Sequence, residues 1–102
     1  MRIKDQSVKV KGITPEILLA GMIADQVCRD HGEEVVITSG VDGKHSLTSL
    51  HYSGNAIDIR TRFFSKAEAQ QVRSEIKERL GIDYDVIQEA DHIHIEFQPR
   101  YR

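Results

Sequence analysis

Apolar residues along the chain fall into two helical stripes and several short runs of strand character. Ile17, Ala20, Gly21, Ala24, Val27 and Cys28 recur at helical spacing, which puts them on one face of a helix. Thr14-Pro15-Glu16 supplies its start: a capping hydroxyl, a proline at the first helical position and an acid in the first turn. His31-Gly32 is the expected stop, with the glycine as C-cap. A second stripe, Ala69, Val72, Ile76 and Leu80, follows Ser65, which stands at capping-box spacing from Glu68. Gly81 ends that helix.

The strand signals lie between and after these helices. Val35-Val36-Ile37-Thr38 reads as a short buried strand, and Ala56–Arg60 as another. Tyr84–Gln88 and His92–Phe97 flank the turn Glu89-Ala90-Asp91, a hairpin signature. Residues 1–12 alternate loosely, as an edge strand or an ordered arm. From Ser39 to Ser53 the chain is rich in Gly, Ser, Thr and Asp and reads as a long loop. Loops of that length inside compact domains are uncommon and often functional. No internal repeat interrupts the order helix, strand, loop, strand, helix, strand, strand. That order predicts an α+β domain, with helices on one face of a mostly antiparallel sheet.

The length of 102 residues suits a single domain, 1–102, with one modest core. Charged residues at 29% and hydrophobic residues at 39% are an ordinary globular balance. A net charge of −2 gives no basic footprint for nucleic acid, and Arg100 and Arg102 around Tyr101 read as a solvated end. No segment approaches the length of a membrane span. The start, MRIKDQSVKVKG, lacks the apolar run of a signal peptide. Synthesis in the cytoplasm is the expectation, and a substrate outside the cell would require another delivery route. Cys28 is the only cysteine and falls in the apolar stripe, where a buried, inert thiol is expected.

The chemistry sits in two strands. Along Ala56–Arg60, Ile57 and Ile59 share one face and Asp58 takes the other. Along His92–Phe97, Ile93, Ile95 and Phe97 share one face, and His92, His94 and Glu96 the other. If these strands are neighbours, Asp58 and the histidines converge. A turn at Gly54 would fold His51 back beside Asp58. Two imidazoles and a carboxylate with an open fourth position are a catalytic zinc pattern. Polar-out alternation is the plainer reading of the His-x-His taken alone. The two strands and the intervening loop together favour the metal.

The run Ser49-Leu50-His51-Tyr52-Ser53-Gly54-Asn55-Ala56-Ile57-Asp58-Ile59 resembles a motif of bacterial and phage zinc peptidases that act on peptidoglycan. In that motif serine, histidine, glycine, alanine and aspartate hold the same spacing. The family includes zinc D-Ala-D-Ala carboxypeptidases and L-alanyl-D-glutamate endopeptidases, and shares a fold with the hedgehog signalling domain. Its second motif, a late His-x-His, matches His92-Ile93-His94, and Thr38-Ser39-Gly40 resembles the strand end that opens the site. The resemblance spans about residues 14–97. It implies His51, Asp58 and His94 as zinc ligands. Asp91 stands where many members carry an acidic general base, and His92 matches a histidine beside the metal that is not a ligand. Either would carry protons: Asp91 as acceptor, or His92 as donor to the oxyanion or leaving amine. The plain alternatives are a turn residue for Asp91 and a supporting role for His92. Glu96 is expected to be solvated or to support the ligands.

One position departs from the family. Many members carry an arginine shortly after the Ser-Gly pair, where this chain reads Gly40-Val41-Asp42-Gly43-Lys44-His45. Lys44, His45 or Arg60 would then supply the positive charge to substrate, with Ser49 orienting the site. The resemblance therefore implies a zinc-dependent peptidase cutting a stem or cross-link peptide of the bacterial cell wall. It leaves D-Ala-D-Ala, L-Ala-D-Glu and cross-link bonds open. The small size suits a phage or prophage endolysin and is compatible with a monomer. The rival expectation is a zinc-stabilised binding domain without turnover.

Overall fold

The computed structural model describes residues 1–41 and 53–99. Among these, the chain forms β1 (Arg2–Ile3), α1 (Pro15–Asp30), β2 (Val36–Ser39), β3 (Ala56–Arg60), α2 (Lys66–Leu80), β4 (Tyr84–Gln88) and β5 (His92–Phe97). The sheet order is β1-β2-β3-β5-β4. Only β1 pairs in parallel, with β2; the other three pairings are antiparallel. The loosely alternating start of the chain thus contributes an edge strand. It is confined to Arg2–Ile3, and β2 begins and ends one residue later than its apolar run suggests.

Both helices begin where their caps direct. The Thr14 hydroxyl accepts from Ile17 N–H, and Pro15 opens α1 without the N–H that position would leave unpaired. The C-cap itself is His31, and Gly32 follows it at φ +85°. The Ser65 hydroxyl accepts from Glu68 N–H at 3.1 Å. The reciprocal half of the box is not made, because Glu68 turns its carboxylate to His31 instead.

The α1 stripe predicted from spacing is the buried face of that helix: Ile17, Ala20, Gly21, Ala24, Val27 and Cys28. Its small residues let the helix lie close to the sheet. A Cβ on Gly21 would sit 3.0 Å from Met1 Sδ and 3.6 Å from Ile57 Cδ1. Ala69, Val72 and Ile76 bury the matching face of α2, and Leu80 is only partly buried. Ile57, Ile59, Ile93 and Ile95 are at most 1% exposed and form the sheet side of the same core. Burying one such isoleucine contributes about 1.5–3 kcal/mol. This apolar face fixes the register, since a slip of one residue would turn Asp58 and His94 into the core.

Cys28 is fully buried, and burial pushes its thiol up to about 12. It is inert, as its place in the stripe implies. Among the described residues no helix is long and apolar enough to cross a membrane.

Candidate functional site

The site lies on the sheet face turned away from the helices. β3 and β5 pair so that Asp58 is opposite His94, Ile57 opposite Ile95 and Ile59 opposite Ile93. The register therefore brings together the aspartate and histidine that alternation had placed on one face of each strand. On the other side of β3, Ser39 pairs with Asp58 across an irregularity that puts one extra residue into β2 between Ile37 and Ser39. Bulges of this kind re-aim side chains and recur beside functional sites.

Asp58 is the centre of a cluster and is 9% exposed. His94 Nδ1 lies 2.9 Å from Asp58 Oδ1, and His94 Nε2–H donates to Glu96 Oε1 at 2.9 Å. The hydrogen bond with Asp58 pushes the His94 pKa above its ordinary value; burial opposes this and Glu96 adds to it. His92 Nε2 lies 3.8 Å from both Asp58 Oδ2 and Glu89 Oε2. His92 Nδ1 lies 2.7 Å from Asp91 Oδ1, and that bond holds the Asp91 carboxyl below its ordinary pKa.

Asp58 and His94 fit a zinc ion in three respects. Their facing atoms are 2.9 Å apart, close to the roughly 3 Å that separates two donors bound at about 2.0–2.1 Å to one ion. Glu96 accepts from the remaining ring nitrogen, the kind of partner a metal-ligating histidine usually has, and a histidine so held would offer Nδ1 to a metal. One imidazole and one carboxylate are also donors of the borderline class that zinc takes. Among the described residues no group of three or more His, Cys, Asp and Glu converges as a metal cage. His51, the third ligand implied by the resemblance, lies outside the described residues, as do Lys44, His45 and Ser49.

Two glycines set the ends of the segments that frame the cluster. Gly54 has φ +79°, and a Cβ there would sit 2.1 Å from Gly12 O. Its own carbonyl accepts from Thr14 N–H at 3.0 Å, tying the start of β3 to the start of α1. Gly40, just past β2, would place a Cβ 2.3 Å from Lys9 O.

A cavity of about 420 Å³ opens over the cluster, lined by Lys4, Thr38, Ser39, Asp58, Arg60, Arg62, Asp91 and His92. Arg60 therefore borders the site, opposite His92 in the β3–β5 register. Lys4 and Arg62 were not apparent as site residues. Lys4 reaches it only because β1 pairs in parallel with β2, a contact between distant parts of the chain that no local pattern encodes. Arg62 lies just past the end of β3, and the signal for it was the basic spacing Arg60-Thr61-Arg62. Among the described residues the Lys4, Arg60 and Arg62 side chains make no hydrogen bond or ion pair.

No protein-family model matches this chain, and no curated protein matches it.

Proposed function

We propose that the chain is a zinc metallopeptidase that hydrolyses a peptide bond in the stem or cross-link peptides of bacterial peptidoglycan, on a fold of the hedgehog/DD-peptidase kind. The observation that carries this reading is the Asp58–His94 pair, backed by Glu96, with the Asp91–His92 pair beside it on one sheet face. Two helices on one face of a mostly antiparallel sheet are consistent with that fold.

Asp58 and His94, with His51, would hold the zinc ion, which when bound polarises a carbonyl and lowers the pKa of bound water to about 7. The protein's own residues divide the remaining work. Asp91 is ionised and its carboxyl is a weakened base, so its part is to orient His92 through Nδ1. His92 Nε2 then faces the cluster and is the atom placed to take a proton and return it to the leaving amine. Lys4, Arg60 and Arg62 give the cavity the positive charge that the family takes from an arginine this chain lacks.

The test is a digest of purified peptidoglycan by the zinc-loaded protein, with products identified by mass. Wild type should release peptides that define the bond cut. His92→Ala should lower release by about 10²-fold or more while zinc content stays the same. Stoichiometric zinc with no product from wild type would favour the non-catalytic binding domain. Zinc well below one equivalent, unchanged by His94→Ala, would remove the metal from the reading altogether.

A further inference from the structure

A second cavity, of about 680 Å³, lies between the β4–β5 turn and the start of α2. Its walls are Thr61, Arg62 and Phe64 after β3, Lys66, Ala69 and Gln70 on α2, and Gln88 to Asp91 at the turn. Arg62 and Asp91 also line the cavity over Asp58. The two spaces therefore meet at those residues as two arms, with Asp58 and His92 lining the inner one.

The outer arm has an unbalanced charge demand. Its two carboxylates are already engaged: Asp91 Oδ1 is 2.7 Å from His92 Nδ1, and Glu89 Oε2 is 3.8 Å from His92 Nε2. Its two cations are not. Among the described residues neither the Arg62 guanidinium nor the Lys66 ammonium makes a hydrogen bond or ion pair. Lys66 is also the first residue of α2, where the helix end adds partial positive charge. Phe64, Ala69 and Ala90 give the arm an apolar floor. An anion beside two free cations and above apolar side chains is held by charge, while its carbon chain covers the floor.

We propose that this arm is an accessory substrate subsite that takes a carboxylate of the substrate peptide on Arg62 and Lys66. It rests on the peptidase reading for the identity of the ligand and adds a specificity: substrates with a free carboxylate at this position are preferred to their carboxamides. Arg62 stands at the junction of the two arms, so the carboxylate it binds sits next to the cavity that contains Asp58 and His92.

The experiment uses the zinc-loaded full chain and a peptidoglycan stem peptide in two forms, with free carboxylates and fully amidated. Binding is followed through the backbone amide signals of Gln70 and Ala90, and cleavage by product mass. Wild type should bind the acid at least ~10-fold more tightly than the amide. Lys66→Gln and Arg62→Gln should each bring that ratio toward one. Lys11→Gln, which removes an exposed lysine lining neither cavity, should leave it unchanged. Equal binding of acid and amide by wild type overturns the subsite, as does a ratio that the Lys66 and Arg62 variants do not move. Preferential binding without cleavage keeps the subsite and removes the peptidase reading; cleavage of both forms at equal rates and affinities does the reverse.

Discussion

His31 ties the two helices together, and replacing it with glutamine should destabilise the protein in a pH-dependent way. The residue caps the end of α1. Its Nδ1 lies 3.2 Å from Glu68 Oε2 and its Nε2 lies 2.6 Å from Glu75 Oε2, both on α2. Ionised carboxylates only accept, so both bonds form at once only when both ring nitrogens carry a proton. The Glu75 bond first, then the Glu68 bond, raise the His31 pKa above its ordinary value, and a cation also suits a helix C-terminus. Phe64 meets the ring edge-on at 6.1 Å.

Hydrogen bonds to charged groups contribute about 1.5–3 kcal/mol each. The His31 side chain is 12% exposed, but Glu68 and Glu75 are 41% and 33% exposed, and solvent screening lowers each bond toward ~1 kcal/mol. The pair then contributes roughly 1–2 kcal/mol, which in a domain of this size is on the order of 5–10 °C in Tm. Because the folded pKa is raised, this contribution is fully present below the unfolded value of about 6.5 and is lost as pH rises through the folded value. Thermal melts of wild type and His31→Gln should therefore be well separated at about pH 5.5 and draw together as pH rises past the raised folded value. His92 and His94 lie on the far face of the sheet, so their contributions cancel in the difference. A gap that stays constant over this range, or widens with pH, would refute the protonated bridge.

Other outcomes follow from the core and the site. Ile93→Ala, at a fully buried position, should cost roughly 2–5 kcal/mol in urea unfolding. Gly54→Ala should cost on the order of 1–3 kcal/mol, because the φ is positive and the new Cβ meets the Gly12 carbonyl; calorimetry against wild type measures it. Glu96→Gln should leave the fold intact and weaken zinc binding by about 10–100-fold in a chelator competition, since it alters the carboxylate on His94 Nε2. Asp58→Asn should lower zinc affinity further still in the same competition.

Most of the fold was legible because its signals are local. Thr14-Pro15 and Ser65 mark helix starts, and each buried stripe repeats at the helical period. The alternation of β3 and β5 shows which face meets the core. What was not legible depends on contacts between distant segments. Nothing in residues 1–12 specified that Arg2–Ile3 would pair in parallel with β2. The irregular pairing of β2 with β3, which carries Ser39 opposite Asp58, is likewise contained in no window of β2. The spacing of Ser65 and Glu68 predicts a full capping box, but the Glu68 carboxylate has a competing partner in His31, some 37 positions away, and bonds to it instead.

The site divides along the same line. Asp58 and the histidines could be placed on one sheet face from sequence because each strand has one apolar face, and every register that buries both apolar faces together turns these polar groups to the other side. That His94 rather than His92 or Glu96 stands opposite Asp58, with facing atoms 2.9 Å apart, comes from the pairing itself. The division of labour between Asp91 and His92 could not be read this way. Both residues sit at the start of one strand, and spacing does not say which atom faces the cluster. The hydrogen bond between them engages His92 Nδ1 with Asp91, holds the Asp91 carboxyl below its ordinary pKa, and leaves Nε2 3.8 Å from Asp58 Oδ2 and from Glu89 Oε2. On the proposed peptidase reading, His92 is then the proton carrier and Asp91 its positioning partner. His92→Ala should then lower turnover by about 10²-fold or more, while Asp91→Asn should slow it less, by mispositioning the ring, and leave zinc content unchanged.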